Sequence, residues 1–285
     1  MFNYRDINTI WIDENFFNDK DITTGSSISI NRTEDIERAD SIWKEANKTI
    51  TDVKNHLKER DKLSQGFNSL KRVFNVLCRI WKEEFGIDGV EFPNKSKAKS
   101  MIESLEYFDI LRANSLNRYL ELRNLIEHED EPPPQLDICI ALSDYMWSFI
   151  KSTKLLINQK CDELIFESKS NGVLIVEFKV INNNSVFIPK IYITAYIDKN
   201  FVYFLEKEKS IKLLSFEIVN KREEFFNESH LDILARYDRL DFRKILLKGE
   251  IDNAAIISEF IKKVLLSDQG GLYEIDRIRH IFSKS

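Results

Sequence analysis

The chain has 285 residues, with 42 Lys and Arg against 47 Asp and Glu, a formal net charge of −5, and only 8 Gly and 5 Pro. That length suits two domains with separate cores, and the ordinary apolar content with few breakers excludes large-scale disorder. A net negative charge also gives no bulk sign of a nucleic-acid binder, whose phosphate contacts usually demand a basic excess.

No uninterrupted apolar run approaches the roughly 20 residues that cross a bilayer, and Met1 to Asp6 shows no signal-peptide core, so a cytoplasmic protein without a membrane partner is expected. Cys78, Cys139 and Cys161 are odd in number and far apart, which predicts reduced thiols, mostly buried.

Residues 1 to 32 carry Trp11, Phe16 and Phe17 followed by a polar stretch, and are expected to form an arm that docks by its aromatic side chains. From Thr33, Ile36, Ala39, Ile42, Trp43, Ala46, Ile50, Val53 and Leu57 recur at three- and four-residue steps, predicting a helix to about Lys62. Phe67, Leu70, Phe74, Leu77, Cys78 and Trp81 predict a second helix that stops near Gly86. A third is expected over about Lys95 to Leu111 and a fourth from Leu116 to the edge of Pro132-Pro133-Pro134. The prolines can open a fifth, Leu136 to Ile157, carried by Ile140, Tyr145, Trp147 and Ile150.

Beyond Asn158 the period changes. Leu164 to Phe166, Val173 to Ile181, Val186 to Ile197, Phe201 to Leu205 and Ile211 to Val219 read as strands of an antiparallel meander, separated by turn signals such as Asn182-Asn183-Asn184. Leu231 to Leu247, Asn253 to Leu266 and Tyr273 to Phe282 return to helical spacing. The expected organisation is α+β: an arm over 1–32, an all-helical bundle over 33–158, and a domain of antiparallel sheet plus helices over 159–285.

The fourth helix ends Arg123-Asn124-Leu125-Ile126-Glu127-His128. This run resembles the signature of the HEPN (higher eukaryotes and prokaryotes nucleotide-binding) family, an Arg followed four to six residues later by His, commonly with Asn beside the Arg. The resemblance covers roughly residues 33 to 158. It implies a metal-independent endoribonuclease that cuts single-stranded RNA, in a toxin, antiviral-defence or stress setting, at a site shared by a homodimer. Arg123, Asn124 and His128 would be its catalytic residues. The residue types suit that chemistry: the Arg fork can hold a phosphate, and His exchanges protons near neutral pH. Glu127, Glu129 and Asp130 crowd His128 with negative charge, which favours its protonated form. On one straight helix, five steps leave Arg123 and His128 about 140° apart, so a distorted helix end or a second copy must bring them together. In HEPN toxins controlled by a nucleotidyltransferase antitoxin a Tyr follows the His by two residues. Here that position is Asp130, so that control is not implied.

Alternatives remain. Arg123 can simply pair with Glu127 one turn on, while His128 faces the helix C-terminus. The same module can act without catalysis, as a dimerisation or RNA-binding scaffold. A third reading places a metal-dependent nuclease of PD-(D/E)xK type on Glu177 and Lys179, with Asp162 as a further carboxylate for magnesium. The basic residues Lys54, Lys58, Arg60, Lys62, Lys71, Arg72 and Arg79, with Lys95, Lys97 and Lys99, read as a phosphate-facing surface or as a solvated helical face. His56, His230 and His280 lack partners at metal-ligand spacing, and no nucleotide loop is present, so no metal or cofactor is called for. The C-terminal domain is left with a regulatory protein or ligand as its expected partner.

Overall fold

The alternating runs beyond Asn158 pair as strands, and in the computed structural model strands from the N-terminal segment join them. The structure describes residues 9–13, 15–16, 23–28, 33–55, 58–90, 101–110, 135–204, 210–218, 243–251 and 254–262. It has both helices and an antiparallel sheet, the α+β content expected. The chain divides into two compact units, one of residues 1–29, 89–97 and 160–285, the other of residues 30–88 and 98–159.

The first unit holds an eight-stranded antiparallel sheet. Its strands are β1 (Thr9–Asp13), β2 (Thr23–Ile28), β3 (Cys161–Ser168), β4 (Gly172–Asn183), β5 (Val186–Asp198), β6 (Val202–Tyr203), β7 (Ser210–Ile218) and β8 (Lys244–Ile251). They lie in the order β2-β3-β4-β5-β8-β7-β1-β6. Two departures from the expected meander stand out. The N-terminal arm is part of the sheet, with β1 inserted between β7 and β6 and β2 paired along β3. Ile10, Ile12 and Phe16 are fully buried there, and Phe16 meets Phe201 edge-on at 6.0 Å. The second departure is Lys244 to Leu247, expected as the end of a helix, which begins strand β8 between β5 and β7. Two-residue alternation of Leu247, Gly249 and Ile251 toward a buried face wins there, because ladder bonds on both edges outweigh a helical preference spread over a few residues.

The tight turns follow their residues. At the β4-β5 hairpin Asn184 and Ser185 take φ of 50° and 71°, and the Ser185 amide donates to Asn182 Oδ1 at 3.1 Å. Gly172 opens β4 at φ 117°, where a Cβ would run into the Tyr196 carbonyl. On the buried sheet face Phe178 stacks at 6.3 Å on Phe260 of the helix α5 (Ala254–Phe260).

The second unit carries α1 (Thr33–Thr51), α2 (Arg60–Phe85), α3 (Met101–Tyr107) and α4 (Leu136–Gln159). Helices α1, α2 and α4 pack on one another through Ile36, Ala46 and Ile50, through Leu70, Leu77 and Trp81, and through Leu142, Met146 and Phe149. Gly66 lets α1 and α2 approach closely: a Cβ there would stand 2.5 Å from Ile50 Cγ1. α2 ends at Gly86, which takes the left-handed φ of 62° and returns its N–H to Lys82 O, the stop its sequence predicts. α1 does not reach Lys62; it stops at Thr51. Side chains take over the backbone groups beyond it, since Glu59 Oε2 accepts from Lys54 N at 2.7 Å and Asn55 N at 3.1 Å.

Polar ties fix the packing. Trp43 Nε1 donates to Ser143 O at 2.8 Å, and Ser143 Oγ donates to Asn47 Oδ1 at 2.9 Å. Trp81 Nε1 donates to Thr153 Oγ1 at 3.1 Å, both buried. Burial pushes the Cys78 thiol up to about 12 and the Cys139 thiol up to about 11, so both stay protonated at neutral pH. Both are buried. Of the residues that carry the period of α4, Ile150 is buried and Tyr145 half-buried, whereas Ile140 and Trp147 are exposed.

Candidate functional site

Arg123, Asn124 and His128, with Glu127, Glu129 and Asp130, lie outside the described residues. The elements on either side are described. α3 closes with Asp109 in the left-handed region at φ 58°, Asp109 N bonded to Glu106 O and Ile110 N bonded to Leu105 O at 3.0 Å. This pair of reversed bonds is a helix stop that turns the chain away from the α3 axis. The chain is described again from Gln135, one residue before α4.

Three of the six basic residues of α2 are matched to acids. Arg79 pairs with Asp35 and reaches Glu83 at 3.9 Å, Lys62 bridges Glu59 at 2.8 Å, and Lys82 bridges Asp88 at 3.5 Å. Lys71 lies 5.5 Å from the centre of the Phe67 ring. Lys54, Lys58, Arg60 and Arg72 are exposed, three of them around the turn between α1 and α2.

The carboxylates proposed for metal chemistry are separated by the sheet. Glu163 of β3 stands directly opposite Glu177 of β4, so these two share a face. Asp162, one residue before, points to the other side, where Lys160 meets its Oδ1 at 2.8 Å and lies 5.7 Å from the Phe178 ring centre. Asp162 therefore does not converge with Glu177 and Lys179. Among the described residues no group of three His, Cys, Asp or Glu is placed to hold a metal ion.

Register instead assembles a row that single strands do not reveal. Glu163, Glu177, Tyr192 and Glu250 lie side by side across β3, β4, β5 and β8, flanked by the facing pair Lys179 and Lys190. Lys179 Nζ donates to Glu177 Oε2 at 2.9 Å and sits 5.5 Å over the Tyr192 ring, and Lys190 pairs with Glu250. Burial, together with the neighbouring Glu250, raises the Tyr192 phenol above its ordinary value. Each lysine has a carboxylate within reach, so the row acts as a cross-strand charge ladder that offsets the repulsion of facing glutamates.

Among the described residues no helix is long and apolar enough to cross a membrane. The chain matches no known protein family, no curated protein and no solved structure.

Proposed function

We propose that the chain is a metal-independent endoribonuclease of HEPN type, cutting single-stranded RNA at a site built from Arg123, Asn124 and His128 of two copies. The observation that carries this reading is the run Arg123-Asn124-Leu125-Ile126-Glu127-His128, which combines a phosphate-binding cation with a neutral-pH proton carrier just ahead of α4. Separation of Asp162 from Glu177 supports it against the metal-dependent alternative.

In this chemistry the ribose 2′-oxygen attacks the adjacent phosphorus as its proton passes to a base. The bond to the 5′-oxygen breaks as that oxygen takes a proton from an acid, and a 2′,3′-cyclic phosphate remains. His128 serves one or both proton steps, and Arg123 offsets the charge gathering on the phosphoryl oxygens. Asn124 orients the phosphate. Because the nucleophile belongs to RNA itself, DNA is not cut.

The test is incubation of the full chain with single-stranded RNA in EDTA. Cleavage with 2′,3′-cyclic phosphate ends is expected, with Arg123→Ala and His128→Ala each slowing it by about 10² to 10⁴ while the fold stays intact. RNA left whole in EDTA but cut on adding magnesium would transfer the activity to another site. RNA left whole under both conditions would leave only the non-catalytic scaffold.

A further inference from the structure

Helix α4 is apolar on two sides, and only one of them is used by its own unit. Leu142, Met146, Phe149 and Ile150 are buried, whereas Ile140, Trp147 and Leu155 are exposed to 39%, 46% and 52%. At about 100° per residue, Ile140, Asp144, Trp147, Lys151 and Leu155 fall within a stripe about 80° wide, on the side away from the buried residues. Lys151 Nζ lies 6.0 Å from the Trp147 ring centre and 3.6 Å from Asp40 Oδ1 of α1, and Asp144 and Lys151 are both exposed, so Lys151 still presents its ammonium group to an incoming carboxylate.

The order of that stripe reads the same from either end. About a midpoint between Trp147 and Ser148, Ile140 reflects onto Leu155 and Asp144 reflects onto Lys151. Apolar positions therefore map onto apolar ones, and an acid maps onto a base. We propose that this face of α4 is the contact between two copies of the chain, their α4 helices antiparallel about a two-fold axis that passes beside Trp147 and Ser148. Ile140 of each copy then packs on Leu155 of the other, each Asp144 meets the opposite Lys151, and the two Trp147 rings flank the axis. Each element of the contact occurs twice, as a two-fold interface requires, and the assembly closes at two. A parallel arrangement is disfavoured because it sets Asp144 against Asp144 and Lys151 against Lys151.

The inference stands on α4 alone and does not need the ribonuclease reading, since it is tested without RNA. A contact limited to one helix face lies at the low end of specific interface sizes, so the association is expected in the micromolar range. Sedimentation equilibrium of the full chain at low salt should give a concentration-dependent dimer. In an Asp40→Asn background, which removes the carboxylate that Lys151 meets in its own chain, Asp144→Lys and Lys151→Asp alone should each weaken it by about tenfold or more, because each reversal creates two like-charge contacts, and the two together should restore it. Leu155→Glu should also weaken it, with circular dichroism unchanged because the position is exposed. A chain that stays monomeric at high micromolar concentration would overturn the proposal. So would a dimer indifferent to the single reversals, or one that the double reversal fails to restore.

Discussion

Among the described residues Trp81 is the largest fully buried side chain, and its indole N–H reaches a hydroxyl, Thr153 Oγ1, inside the helical unit. Replacing Thr153 by Val keeps the shape and removes the acceptor. An N–H without an acceptor in a dry interior costs about 1 to 3 kcal/mol, more than the bond itself contributes on balance. Thr153→Val should therefore lower the unfolding free energy from urea titration by that amount, and should cost less in a Trp81→Phe background, where no N–H is stranded. Equal costs in both backgrounds would mean that Thr153 matters for packing alone. The sequence marks Trp81 as a core residue but offers no sign of its partner, which lies 72 positions along the chain on another helix.

At the scale of elements, the turn between α1 and α2 shows how one carboxylate can end a helix. Glu59 is held down to about 2, first by the hydrogen bond from Lys62 and then by the Asn55 and Lys54 amides. Its ordinary value is 4.5, so what these bonds contribute is fully present above about pH 4.5 and is lost as pH falls through that value toward 2. The amide shifts of Lys54 and Asn55 should titrate with an inflection near 2, and Glu59→Gln should abolish it. An inflection at the ordinary value would show that the bonds do not persist in solution. Apolar spacing continues through Ile50, Val53 and Leu57, so the break is invisible to periodicity; it comes from local side-chain hydrogen bonds that compete with the helix. α4 was legible in extent but not in rotation. With apolar residues on two sides, period alone cannot say which stripe its unit buries. Asp162 and Glu177 failed to meet for a related reason: each strand alternates, but which residues share a face is decided by the pairing of β3 with β4.

For the whole molecule, the division after residue 32 expected from composition is replaced by interleaving: residues 1–29 and 89–97 belong with the sheet, and the chain passes between units four times. Gly89 shows why its segment belongs there, since its backbone lies so close to Phe187 that no Cβ fits. The change from helical to alternating spacing near Asn158 did mark one true crossing, at residues 159 and 160. A chain started at residue 30 should fail to fold cooperatively. It lacks the buried Ile10, Ile12 and Phe16, together about 5 to 9 kcal/mol of burial against a typical total stability of 5 to 15, and it leaves β7 without a neighbour on one side. Thermal denaturation of the full and shortened chains would decide this; an unchanged cooperative melt in the shortened one would show β1 to be dispensable.

The place of β1 between β6 and β7 also sets an order of events during synthesis. Its partners, Val202 to Tyr203 and Ser210 to Leu214, are translated about 200 residues later, roughly 10 to 40 s at typical elongation rates. For most of that interval Thr9–Asp13 lacks the strands it pairs with in the folded sheet, while the whole helical unit is made between it and them. Among the described strands β8 is made last, and it joins β5 to β7, so the described sheet is complete only once Ile251 has been added.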